Sequence, residues 1–249
     1  MEEPFIVLHG TLKNNCMQTI HLIDNIFIEN GVLQTYGREG KETMVFLKRG
    51  DLVGRCAVYS LMMMLILHKR INREDLLSKV NYEAPPYIKE LKKQFLLRTK
   101  IGYSMRSLRD KLLLSFNNHI RVDVFSIINF IEDDLRKLHF MIKEQLDAGW
   151  PVQIGFSFPQ GKEVHSVVAV GYSMFERTLR LFCLDSAFDL GCASMWNNII
   201  DINMDYADLF KMDFNHNVTV AVHVNSILLI NDKPDLPFEP EEKDSFLPF

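Results

Sequence analysis

Eleven consecutive residues, Ala57-Val58-Tyr59-Ser60-Leu61-Met62-Met63-Met64-Leu65-Ile66-Leu67, offer water only a serine and a tyrosine hydroxyl. A run with no polar face reads as a helix buried on all sides, so other elements must pack around it. Crossing a bilayer takes about 20 such residues, so the run points instead to the core of a globular domain. Directly before it stands Gly50-Asp51-Leu52-Val53-Gly54-Arg55-Cys56, a polar loop that delivers one cysteine to the first turn of the helix. Unsatisfied backbone N–H groups and the positive end of the helix dipole favour an anion at that point, and a thiolate is one.

The rest of the chain alternates helical and extended patterns. Turn signals such as Glu29-Asn30-Gly31 and Gly37-Arg38-Glu39-Gly40 separate apolar runs at 19–28, 32–36 and 43–47, predicting short strands or a strand–helix mixture. The buried helix ends near His68-Lys69-Arg70, and Asn72 offers a cap for a short helix to residue 80. Helices are expected over 87–97, opened by Pro85-Pro86, and over 105–116, while 125–131 reads equally as helix or strand. Leu135, Leu138, Ile142 and Leu146 recur at three- and four-residue steps after Glu132, and Gly149 supplies the stop. Strands follow at 150–158, 165–172, 179–185, 217–224 and 227–230.

These elements predict the α+β class: a helical half with a buried central helix packed against an antiparallel β-sheet. Residues 1–45 form an N-terminal strand/helix extension, 46–230 the main domain, and 231–249, with four of the nine prolines, an acidic tail. A formal net charge of −4 without a basic stripe argues against a nucleic-acid partner. The apolar run near Met1 is too short for a signal peptide, so a cytoplasmic protein without a membrane span is expected. The cysteines Cys16, Cys56, Cys183 and Cys192 form no Cys-x-x-Cys pair, so neither a metal nor another cofactor is expected. Cys16, Cys183 and Cys192 read as small core residues. His216 and His223 stand an odd step apart on a strand, face opposite ways and cannot chelate together.

The strands at 165–172 and 179–185 read as a hairpin turning at Met174-Phe175-Glu176-Arg177. With the turn centred near residue 175, opposed residue numbers sum to about 350, a condition that His165 and Asp185 meet. Directly opposed residues share a face, with Cβ atoms about 4.5–5.5 Å apart. A one-residue bulge would change that register. Cysteine at a helix N-terminus with a His–Asp pair on adjacent strands is the parts list of thiol catalysis. Cys56 would be the nucleophile and His165 the base; Asp185 would orient the imidazole.

Three stretches, in this order, resemble the papain-like cysteine peptidases of the bacterial double-glycine leader-peptidase type. They are Gly54-Arg55-Cys56-Ala57 entering the buried helix, Gly149-Trp150-Pro151-Val152 feeding a strand, and His165-Ser166-Val167-Val168-Ala169-Val170-Gly171-Tyr172 followed by Leu184-Asp185-Ser186-Ala187. The resemblance covers about residues 46–190 and implies a papain-like fold with a cleft between its halves, a Cys-His-Asp triad and a peptide or protein substrate. The family places a glutamine five or six residues before the cysteine to help form the oxyanion hole; here Asp51 and Gly50 stand there. An ionised carboxylate cannot donate to an oxyanion. Besides Asp51 at the family's position, Arg55, Gln34 and the Cys56 backbone N–H are therefore the oxyanion-hole candidates. Other readings stay open: acyl transfer or deamidation through the same triad, a non-catalytic binding or regulatory module, and an α+β protein in which the three residues never meet.

Overall fold

Strands β1 (Ile20–Leu22), β2 (Ile26–Glu29), β3 (Val32–Tyr36) and β4 (Glu42–Met44) precede helix α1 (Cys56–Leu67) in the computed structural model. Helices α2 (Arg73–Leu77), α3 (Pro86–Phe95) and α4 (Met105–Ser115) follow, then β5 (Arg121–Ser126) and α5 (Glu132–Asp147). The remaining strands are β6 (Val152–Ser157), β7 (Val164–Phe175), β8 (Thr178–Leu184), β9 (Asn198–Asn203), β10 (Phe210–Phe214) and β11 (Val218–Asn231). The structure describes residues 19–51, 56–78, 84–96, 102–117, 120–127, 132–158, 164–203, 210–214 and 218–231. The expected acidic tail from residue 232 on, Cys16 and His216 lie outside them.

The fold is mixed α+β with an antiparallel sheet. Strands β6 to β11 pair each with the next, and β11 returns to pair with β6, so the ladder closes into a ring. Ring closure satisfies backbone groups that an open sheet would leave on its edges. β1 and β5 extend the ring on β7 and β11, and β2–β3–β4 form a separate small sheet.

All twelve residues of α1 are buried, as the unbroken apolar run requires. The helix packs on β6, β7 and β3. Two buried polar contacts fix its first turns on the ring: Gln153 Nε2 of β6 donates to the Ala57 carbonyl at 2.9 Å, and Ser60 Oγ donates to the Ser166 carbonyl at 3.0 Å. Leu135, Leu138, Ile142 and Leu146 of α5 are buried in the same cluster, along the stripe that their spacing defines. Ile23, Leu33 and Val45, from the segment ahead of residue 46, share that core.

Several elements depart from the sequence pattern. Of the ambiguous segment at 125–131, Phe125 and Ser126 end strand β5, which pairs with β11 over Ser126 to Arg121; residues 128–131 lie outside the described residues. The two strands expected at 217–224 and 227–230 are one, broken in register only by an irregularity between Val224 and Ser226. Strands β9 and β10 were not anticipated. Among the described residues no helix is long and apolar enough to cross a membrane.

Candidate active site

Cys56 is the first residue of α1, 7 % exposed, and sits at the wall of a cleft of about 1200 Å³. Hydrogen bonds hold Arg49 and Gly50 among the described residues ahead of it. Gly50 adopts φ 115°, where a side chain is strained, and its N–H donates to the Tyr59 hydroxyl at 2.8 Å. The Arg49 N–H donates to the Ser186 carbonyl at 2.7 Å, which stitches this loop to the segment carrying Asp185.

His165 lies on β7, opposite Phe156 of β6, with the imidazole ring edge-on to the Phe156 ring at 5.4 Å. Its Nε2–H donates to Asp185 Oδ1 at 2.8 Å and Oδ2 at 2.9 Å. With Nε2 so occupied, Nδ1 is the ring nitrogen left for the interaction that couples His165 to Cys56. Cys56 Sγ lies 3.9 Å from the Val164 carbonyl oxygen, directly ahead of His165. The structure thus brings Cys56, His165 and Asp185 into one chain of contacts.

The hairpin register differs from the expected one. The turn is Glu176-Arg177, so opposed residues sum to 353 from Phe175↔Thr178 to Gly171↔Phe182, and to 352 at Ala169↔Cys183 and Val168↔Leu184. The change marks a bulge between Ala169 and Gly171. Continued without it, the ladder would set Asp185 opposite Val168, on the other face of the sheet from His165. The bulge restores an even sum, and Asp185, one residue beyond β8, comes to the face of His165 on a diagonal rather than directly opposite.

Asp185 is fully buried yet well satisfied. Its Oδ1 also accepts from the Ala187 N–H at 2.9 Å and its Oδ2 from Asn198 Nδ2 at 3.0 Å. Asn197 clasps the same backbone: its Oδ1 accepts from the Asp185 N–H at 2.7 Å and its Nδ2 donates to the Asp185 carbonyl at 2.8 Å.

Charge follows from this geometry. Burial opposes a protonated ring at His165, but the hydrogen bonds to Asp185 and Cys56 and their charges outweigh it and raise the imidazole to about 9. Burial pushes the Cys56 thiol up, while its hydrogen bond to His165 and the charges of His165 and Arg49 pull it net below its ordinary 9.0. Both shifts favour the thiolate–imidazolium form of the pair over the neutral one. Cys183 is the contrast: fully buried and near Asp185, its thiol is pushed well above 9.0. Cys192 is exposed rather than in the core, as it sits in the irregular β8–β9 connection.

Neither Asp51 nor Gln34 is among the described residues that line the cleft. Asp51 Oδ2 accepts from the Lys48 N–H at 3.0 Å and from Arg73 at 2.9 Å, so the residue at the glutamine position closes a turn and holds an ion pair. Gln34 lies on the small sheet, where its Nε2 donates to Glu29 at 3.0 Å. Arg55 lies outside the described residues. His223 is on β11, opposite Ser157.

Asn197, Asn198 and Arg49 belong to the site without having been singled out in the sequence. A signal existed for Asn198: it shares the buried, alternating face of Ile200 and Ile202 on β9. Among the described residues no group of three or more His, Cys, Asp or Glu is placed to hold a metal ion. Comparison with protein-family models and with curated proteins returns no match.

Proposed function

We propose that the chain is a papain-like thiol hydrolase that cleaves a peptide or isopeptide bond with Cys56, His165 and Asp185. The observation that carries this reading is the contact chain from Cys56 through His165 to the buried Asp185 at the wall of a large cleft.

In this reading the Cys56 thiolate attacks the scissile carbonyl carbon, and the carbonyl electrons move onto oxygen. The N-terminal end of α1, with the Cys56 N–H, supports that oxyanion. The tetrahedral species collapses as His165 passes its Nδ1 proton to the leaving amine, so the C–N bond breaks and a thioester remains on Cys56. His165, now neutral, takes a proton from water, which attacks the thioester and releases the acid and the thiolate. Asp185 keeps the proton on Nε2 throughout, which leaves Nδ1 to face the sulfur and the substrate.

A binding module is the second reading, favoured by Asp51, which stands at the family's glutamine position and is engaged by Lys48 and Arg73. Alkylation with iodoacetamide across pH 5 to 10, mapped by mass spectrometry, tests the hydrolase reading first. Cys56 is expected to react well below pH 8 while Cys192 follows an ordinary thiol, and His165→Ala should move the Cys56 threshold up. Incubation with a peptide library then separates the two readings: new termini that disappear in Cys56→Ala support hydrolysis, and their absence supports binding. Ordinary titration of Cys56 in the intact chain would overturn an activated nucleophile altogether.

A further inference from the structure

The fixed charges on the described lining of the cleft have one sign. Among its described lining residues Arg49 and Arg106 are the formal charges outside the Cys56–His165 pair, and no aspartate or glutamate is present. General basicity does not account for this, because the chain carries a net charge of −4. With the Asp185 carboxylate on the far side of the ring, the thiolate–imidazolium–carboxylate set carries one net negative charge, so the two guanidinium groups still leave the cleft net positive.

The two arginines also differ from others in the molecule. Arg38, Arg73, Arg109, Arg121 and Arg180 each hold a carboxylate oxygen within 4 Å. Arg49 and Arg106, both exposed, have no such partner among the described residues. Each is presented from a fixed backbone. Arg49 is anchored through its N–H to Ser186, and Arg106 lies in the first turn of α4, behind the Ser104 side-chain cap and next to buried Met105. Guanidinium groups match carboxylates through paired N–H donors, and walls of low polarity strengthen their field in a cleft. Phe158, Val164 and Phe188 supply such walls, with Val164 66 % exposed beside His165.

We infer that this cleft selects peptides that carry a carboxylate side chain close to the bond under attack, with Arg49 and Arg106 as the groups that read it. The inference rests on the thiol-hydrolase reading and names its substrate class. The occupant would set an acidic residue against the arginines and apolar neighbours against Phe158, Val164 and Phe188. Arg49, close enough to lower the Cys56 thiol, would read the position nearer the reacting carbonyl.

Two tripeptidyl chloromethyl ketones that differ only in Glu or Gln beside the reactive residue test this on the full chain, with iodoacetamide as a probe of the thiol alone. In the native sequence the Glu probe should label Cys56 about threefold faster than the Gln probe or better, the range expected of partly exposed charge pairs. The preference should shrink in Arg106→Gln, vanish in Arg49→Gln/Arg106→Gln, and fade at about 1 M salt. The salt series needs no variant, so it decides the matter even if a substitution disturbs folding. Equal labelling by both probes, with iodoacetamide still fast at pH 6, would overturn the acidic preference and leave the hydrolase reading standing. Slow iodoacetamide labelling of Cys56 would instead remove the hydrolase reading, and the substrate assignment with it.

Discussion

Asp185 accepts from three donors, the His165 ring, the Ala187 N–H and the Asn198 amide, and each constrains where its charge points. Asp185→Asn removes that charge while keeping the size of the side chain. The ring then retains the burial that disfavours its protonated form and loses its principal support, so the His165 pKa should fall from about 9. An NMR titration of the His165 ring protons reads this directly. Stability should change in the same window. A histidine raised from 6.5 to about 9 on folding stabilises the native state fully below 6.5 and loses that contribution as pH rises through about 9. The variant should therefore show a flatter dependence of urea midpoint on pH between these values, whereas an unchanged slope would mean that Asp185 does not hold the proton on His165. The lowered Cys56 thiol has the opposite sign: its contribution is present above 9.0 and is lost as pH falls through its folded value.

At the scale of elements the decisive feature is the bulge in β7, which converts an odd register into an even one and turns Asp185 to the face of His165. Its neighbourhood is crowded. A Cβ at Gly171, the first residue after the bulge, would stand 2.4 Å from the His21 carbonyl oxygen and 2.5 Å from Leu22 Cδ2. Gly171→Ala should push β1 off β7 and lower stability by about 1–3 kcal/mol, measured as a reduced urea midpoint. A midpoint equal to that of the native chain would show that β1 has room to move. Local patterns made α1, α5 and the β7–β8 hairpin legible, because burial on all sides, a 3.6-residue period and alternating apolar runs each leave a mark within a few residues. The bulge left none, since Val168-Ala169-Val170-Gly171 reads as uninterrupted strand. The expected closeness of His165 and Asp185 is found in the structure, but through a register three residues from the expected one near the turn and two farther out. Asn197 and Arg49 were illegible for a different reason: their parts depend on Asp185 and Ser186 being brought beside them in space.

Across the whole molecule one core joins the N-terminal strands, the helices and the ring. Chemical unfolding should then be a single transition, with the fluorescence change of Trp150 and Trp196 coinciding with loss of Cys183 protection from alkylation. Trp150 stacks on His68 at 4.7 Å beside the helices, whereas Trp196 packs on Phe182 at 4.5 Å next to buried Cys183 in the ring, so Trp150 and Cys183 sample separate regions. Two separated transitions would show that the helices and the ring are independently stable units. Ring closure was the large-scale property least visible in the sequence, because it depends on pairing Val152–Ser157 with residues some seventy positions later.

That distant pairing gives synthesis a consequence. By the time Asp185 leaves the ribosome, the chain already holds its thiol, its imidazole and its carboxylate, but the strand that seals β6 has yet to be made. Asn225 and Ser226, which line the cleft, arrive with that strand. At roughly 5–20 residues per second the gap lasts a few seconds, during which one side of β6 is open to pairing with a neighbouring nascent chain. The architecture thus separates the birth of the nucleophile from completion of the cleft around it, and the interval is the moment at which the molecule is most exposed to misassembly.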